Sequence, residues 1–261
     1  GHKHLCDEFF ADKGNHELDV ALTLANELVI ADKLRIMKRK LPASMQHMKS
    51  IPFDAVLSTA CYYQGFTYIG INNKSISRID GDGNQTKNFL RLPNRPITVR
   101  AHQDQLLVLI KGQPYQIMVF DLHSQQMKSW NHTDRNVSYY GNKLWIVDNE
   151  IFAADVTNQR ISVYTLDGKT ERQIPCPLMQ NSTWVSMCAV GDDSVIITTS
   201  TPKTVTRFNL KTSAVVWKTE LTEIPYCSTM YYGAVLVGRD GCNRSRGVWI
   251  QVLDYKTGEC S

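Results

Sequence analysis

The sequence predicts an all-β fold: a single six-bladed β-propeller with four-stranded antiparallel blades, its ring closed by the N-terminal strand. Three observations predict it. Short apolar segments alternate with Gly, Asp and Asn turns along almost the whole chain. The alternation recurs at roughly 40-residue intervals, the mark of a repeat architecture. No long segment carries the i, i+3, i+4 apolar stripe that a helix would need.

Taken in order, blade one covers 17–50, with strands at Asp19–Ala25, Leu28–Ala31 and Leu34–Arg39 and a fourth before Ile51. Blade two (53–93) reads Ala55–Tyr62, Phe66–Ile71, Ile76–Asp80 and Thr86–Leu92. Blade three (96–132) reads Ile97–Ala101, Leu106–Ile110, Gln116–Asp121 and Met127–Asn131. Blade four (135–177) opens at Asn136–Tyr140. Its second strand is drawn from Lys143–Val147 and Ile151–Ala154, and Ile161–Thr165 and Arg172–Pro175 follow. Blade five (182–222) has Trp184–Ala189, Ser194–Thr199, Val205–Asn209 and Val215–Leu221. The sixth (225–261) shows only Cys227–Tyr231, Ala234–Gly238 and Val248–Asp254, so residues 4–10 are expected to supply its outer strand. Closing a ring in this way removes an exposed strand edge. The whole of 1–261 is then one domain.

Composition agrees with a packed globular chain: 43% hydrophobic, 21% charged and a net charge of +4. The longest apolar run, Leu106–Ile110, is far short of the roughly 20 residues that span a bilayer, so no membrane segment is expected. Cys6, Cys61, Cys176, Cys188, Cys227, Cys242 and Cys260 are odd in number and lack zinc-ligand spacing; reduced thiols and a cytoplasmic location are expected. Six Asn-x-Ser/Thr triplets, at Asn73, Asn84, Asn131, Asn136, Asn181 and Asn243, would suit a secreted surface but arise freely in turn-rich β chains.

Blade four carries the most specific motif. Asn149-Glu-Ile-Phe-Ala-Ala-Asp155 is followed by Asn158-Gln-Arg-Ile161, Val163-Tyr164 and Leu166-Asp-Gly-Lys169. Asn26–Asp32 with Leu34-Arg35-Ile36 echoes it, and Ile76–Asp82 keeps part of it. These residues resemble the NHL repeat, and the chain resembles the divergent C-terminal propeller of TRIM-NHL proteins. The resemblance implies a ligand-recognition module of a TRIM-like ubiquitin ligase, one that binds RNA or protein through one face. Asp32, Asp155 and Asn158 read as turn-pinning side chains.

No paired carboxylates, nucleophile elbow, phosphate loop or metal cluster has supporting context, so neither catalysis nor a cofactor or metal is expected. Asp80-Gly-Asp-Gly-Asn84 resembles a calcium loop, but Arg91 occupies the twelfth position where a glutamate belongs, and it reads as a hairpin turn. His47, His102, His123 and His132 are scattered over different blades and read as surface or core filler.

Placing the blades separates the charges. The loops joining second to third strands share one face with the interblade loops. The second-to-third loops hold Lys33, Arg35, Lys74, Lys111, Arg160, Lys203, Arg239, Arg244 and Arg246. The interblade loops add Lys49, Arg95 and Arg135, with Phe53, Trp184 and Tyr226 nearby. Turns on the opposite face carry Glu27, Asp80, Asp82, Asp104, Asp121, Asp167, Asp192, Asp193 and Asp254. A basic face interleaved with aromatic rings suits RNA, because cations neutralise phosphates and rings stack unpaired bases. RNA is therefore the favoured partner, and a protein bound on the same face is the alternative. Kelch-type blades are disfavoured, because no Gly-Gly pair ends a second strand.

Overall fold

The computed structural model describes residues 19–22, 27–32, 35–40, 46–52, 56–133, 143–190, 193–231, 233–240 and 248–260. The strands are β1 (Asp19–Leu22), β2 (Glu27–Asp32), β3 (Arg35–Lys40) and β4 (Gln46–Pro52), then β5 (Leu57–Tyr63), β6 (Phe66–Ile71), β7 (Ser75–Ile79) and β8 (Gln85–Arg91). They continue with β9 (Pro96–His102), β10 (Gln105–Ile110), β11 (Tyr115–Asp121), β12 (Met127–His132), β13 (Leu144–Val147), β14 (Glu150–Asp155), β15 (Arg160–Thr165) and β16 (Thr170–Pro175). After a 3-10 turn at Pro177–Met179 come β17 (Val185–Val190), β18 (Ser194–Ser200), β19 (Lys203–Asn209) and β20 (Ala214–Glu220). The last three are β21 (Pro225–Tyr231), β22 (Ala234–Asp240) and β23 (Val248–Asp254).

Each successive four strands, up to β20, form an antiparallel sheet in chain order, and β21–β22–β23 form a sheet of three. This β-propeller thus has five four-stranded blades, and the expected six with an N-terminal closing strand are not found. The reason lies at the C-terminus. After β23 the chain turns through Tyr255–Gly258 and makes a single bridge, Leu253 to Cys260, so the last sheet gains no full outer strand among the described residues. Residues 4–10, expected there, lie outside the described residues. The ring is instead completed by packing: β1, β5, β9, β13, β17 and β21 stand in succession, and β21 comes back beside β1.

Burial follows from this geometry. A middle strand has another sheet on each side, so β10 is buried along Leu106–Ile110 and β18 throughout Ser194–Ser200. Such strands read as near-continuous apolar runs. Outer strands alternate weakly and face water, as β16 and β20 do. The core lies between sheets: Val163, Ile161 and Phe152 of the fourth sheet pack with Val185, Met187 and Ile197 of the fifth.

Two repeated backbone bonds hold the loops. An N–H at or just beyond the end of a second strand donates to the carbonyl preceding the inner strand: Asn72 to Val56, Lys111 to Arg95, Ala154 to Lys143 and Ser200 to Trp184, at 2.8–3.1 Å. The residue after the outer strand donates back to the third strand or the turn preceding it: Leu92 to Lys74, Cys176 to Gln159 and Leu221 to Lys203, each 2.8 Å. At the opposite face, acceptors end the third strands. Asp121 accepts from the N–H of His123 and Ser124, Asn209 from Lys211 and Thr212, and Asp254 from Lys256 and Thr257. The aspartates read as an acidic face thus hold turns, and these N–H donors keep the carboxyls of Asp121 and Asp254 below the usual carboxylate range.

Cys61, Cys176, Cys188 and Cys227 are buried and outside any disulfide, and Cys260 is exposed. Burial pushes Cys176 up to about 12 and Cys188 up to about 11, which suppresses the reactive thiolate. Brief native alkylation, mapped by peptide mass spectrometry, should label Cys260 and spare those four. Rapid labelling at Cys176 or Cys188 would contradict this packing.

Candidate interaction surface

The face carrying the interblade loops holds two built features. The first stands where the chain enters β17 and β21. Trp184 and Tyr226, both half-buried, stack with ring centroids 5.0 Å apart and planes 26° from parallel. Neighbouring blades supply one ring each. The Trp184 backbone is clamped: its N–H donates to Ser200 Oγ at 3.0 Å, and its carbonyl accepts from Ser182 Oγ at 2.7 Å. Beside them Lys203 Nζ donates to the Thr222 carbonyl at 2.8 Å, holding the cation over the loop that leads to Tyr226.

The second is an open cleft of about 410 Å³ between the third and fourth sheets, lined by Pro114, Asn131, His132, Thr133, Thr157, Asn158 and Arg160. A polar network floors it. Asp155 closes β14 with no exposed surface. It accepts from Thr133 Oγ1 at 2.6 Å, from Asn158 Nδ2 at 3.0 and 2.9 Å, from the Asn158 N–H at 3.2 Å and from Arg160 Nε at 2.9 Å. Burial alone would raise the Asp155 carboxyl, but these donors outweigh it and hold the group below the usual range. His132, equally buried, joins Tyr164 Oη and the Ala154 carbonyl at 2.9 Å each. Because a carbonyl can only accept, Nε2 carries a proton, and in the neutral ring Nδ1 accepts from the tyrosine.

The predicted basic residues that the structure describes are drawn from all six sheets. Lys74 is exposed in the β6–β7 turn with φ 67°, and Arg95 and Lys111 are joined by a backbone bond above the third sheet. Arg160 opens β15 instead of lying in a loop, and its charge is met by Asp155. Lys203 likewise opens β19. Arg35 and Arg239 fall within β3 and β22, not in loops. Lys33, Arg135, Arg244 and Arg246 lie outside the described residues, as does Asn136–Tyr140. The inner strand of the fourth sheet is instead Leu144–Val147, paired with Glu150–Asp155, two segments that had been read as one. Only the fold brings Thr133 to Asp155 and His132 to Tyr164.

Among the described residues no cluster of His, Cys, Asp or Glu could hold a metal ion, and no helix is long and apolar enough to cross a membrane. No family model and no curated protein matches the sequence. Solved structures do match in fold. The WD40 β-propeller domain of Doa1 superposes with TM-score 0.67 at 11% identity, over 95% of this chain and 83% of that one. The computationally designed Ika8 protein superposes with TM-score 0.61 at 11% identity, over 99% of this chain and 89% of that one.

Proposed function

We propose that this propeller is a protein-recognition platform whose working patch is the Trp184–Tyr226 stack. The carrying observation is that two half-buried aromatic rings from neighbouring sheets are stacked, with the Trp184 backbone clamped by Ser182 and Ser200. Preorganised aromatic anchors give contact area at little entropic cost, and such residues dominate binding energies at interfaces. A closed propeller can hold such a patch on a rigid ring.

The finer readings have less support. RNA recognition needs a ring of cations available to phosphates, yet Arg160 is already spoken for by Asp155. A role as the recognition arm of a TRIM-like ligase in the cytoplasm rests on the NHL-like residues of 149–169.

The test is affinity capture with the intact chain, compared with Trp184→Ala/Tyr226→Ala and with Asp121→Lys on the opposite face. Losing anchors of this kind costs about 2 kcal/mol or more each, so a partner's Kd should weaken at least ~30-fold. Partners lost with the double variant and kept by Asp121→Lys support the reading. Partners held equally by all three proteins overturn it. So does binding of mixed single-stranded RNA tighter than about 100 μM that falls steeply with salt.

A further inference from the structure

The inner strands enclose a cation that the interaction surface does not use. Arg100 of β9 is 7% exposed. Its Nη1 donates to the Val99 carbonyl at 2.7 Å and to the Ala60 carbonyl of β5 at 3.5 Å. The Val99 N–H donates to Thr59 Oγ1 of β5 at 3.1 Å. In an antiparallel pair a residue's N–H and C=O point the same way, so the polar groups of Val99 turn from β10 toward the open inner edge. The guanidinium therefore lies along the inner ring of strands. The Trp145 ring of β13 stands 4.7 Å from its carbon.

What distinguishes Arg100 among the described arginines is its deep burial. Among the described residues no carboxylate pairs with it, and its buried Nε meets no acceptor. The half-buried Arg160, by contrast, is met by Asp155, and the exposed Arg172 by Glu150. A buried charge without a counter-charge is costly. Its field reaches across the ring: burial dominates the Cys188 thiol of β17, while the Ser228 hydroxyl and the Arg100 charge pull it back down. The Ser186 hydroxyl, on the inner strand β17, is buried without a hydrogen-bond partner.

We propose that Arg100 anchors a site for a small oxyanion, a carboxylate or phosphate, at the inner ring of the propeller. Trp145 takes the face of the guanidinium and the Val99 and Ala60 carbonyls take Nη1, which leaves the edge carrying the unpartnered Nε for the ligand. A planar pair of anionic oxygens fits that fork, and a point charge such as chloride does not.

The experiment is thermal unfolding of the intact chain at constant ionic strength, with chloride exchanged for inorganic phosphate in one arm and for acetate in another. A site gives a rise in Tm that saturates, whereas general salting effects rise without saturating. Arg100→Lys keeps the charge but loses the fork, and should weaken the apparent affinity at least tenfold; Arg100→Met should abolish the saturable rise. Should either variant fold poorly, tryptophan emission of the native chain titrated with phosphate or acetate gives a second readout, with Trp145→Phe as the comparison. A saturable change lost in Trp145→Phe supports the site, and the arm that gives it identifies the oxyanion. A linear response in both anions, an equal response in Arg100→Met, or emission changes that persist in Trp145→Phe would overturn it.

Discussion

Replacing Asp155 by Ala should destabilise the chain by about 3–5 kcal/mol, the usual cost of breaking a buried ion pair from one side. The carboxylate is fully buried and gathers Thr133, Asn158 and Arg160, so its loss leaves Arg160 three-quarters buried with no acid beside it. The same residues line the cleft, and the β14–β15 turn should loosen with them. Urea unfolding followed by far-UV circular dichroism measures the loss. A cost below about 1 kcal/mol, the range of an exposed pair, would show that the network is not holding the turn.

The acid dependence has a fixed sign. The folded Asp155 carboxyl titrates below its unfolded value, so its contribution is fully present above the unfolded value, near pH 4, and is lost as pH falls through the folded one. Asp155→Asn removes that titration. The stability gap between the native chain and Asp155→Asn should therefore be widest above about pH 5 and narrow below about pH 4. A gap that stays constant, or widens in acid, contradicts the assignment.

How much of this was legible in the sequence differs by level. Strands with two buried faces announced themselves: Leu106–Ile110 and Val195–Thr199 are continuous runs, and both are second strands of their sheets. The fourth sheet was misread because Leu144–Val147 and Glu150–Asp155 are both short and apolar, joined by Asp148-Asn149 with φ of 47° and 68°. That left-handed pair makes the hairpin, and nothing in a single sequence marks it apart from any other Asp-Asn. The expected closing strand lies outside the described residues: an apolar stretch at 4–10 is a candidate by composition, but composition does not say which edge it meets. At the site, Trp184 and Tyr226 were visible as aromatics near interblade loops, and only the fold brings the two rings face to face. Counting basic residues could not show that Arg160 has a buried acid five positions earlier pointing back at it.

The latch between blades should prove sensitive to a single methyl group. On the outer strand β20, Trp217 lies over the turn after β23, its Nε1 donating to the Tyr255 carbonyl at 2.8 Å, while Thr219 Oγ1 donates to the Gly258 carbonyl at 2.6 Å. Trp130 of β12 lies over Gly168 in the turn after β15 in the same manner. Gly258 has φ +74°, and a Cβ there would sit 2.6 Å from the indole of Trp217; Gly168 has φ +83° and would meet Trp130 at 2.6 Å. Gly258→Ala therefore carries two costs. The left-handed backbone costs about 1–2 kcal/mol for any L residue, and forcing the ring aside costs about 1–3 kcal/mol more. Gly65 separates them, because its φ is +83° and a Cβ there meets nothing within 4 Å. Gly65→Ala should cost only the backbone part, and Gly258→Ala about 2–5 kcal/mol in total. In a Trp217→Ala background, itself about 3–5 kcal/mol less stable, the added cost of Gly258→Ala should fall toward that of Gly65→Ala. Equilibrium unfolding of these four variants decides the matter. Equal losses at Gly65 and Gly258, or no coupling between Gly258 and Trp217, would mean that the indole is not what the glycine makes room for.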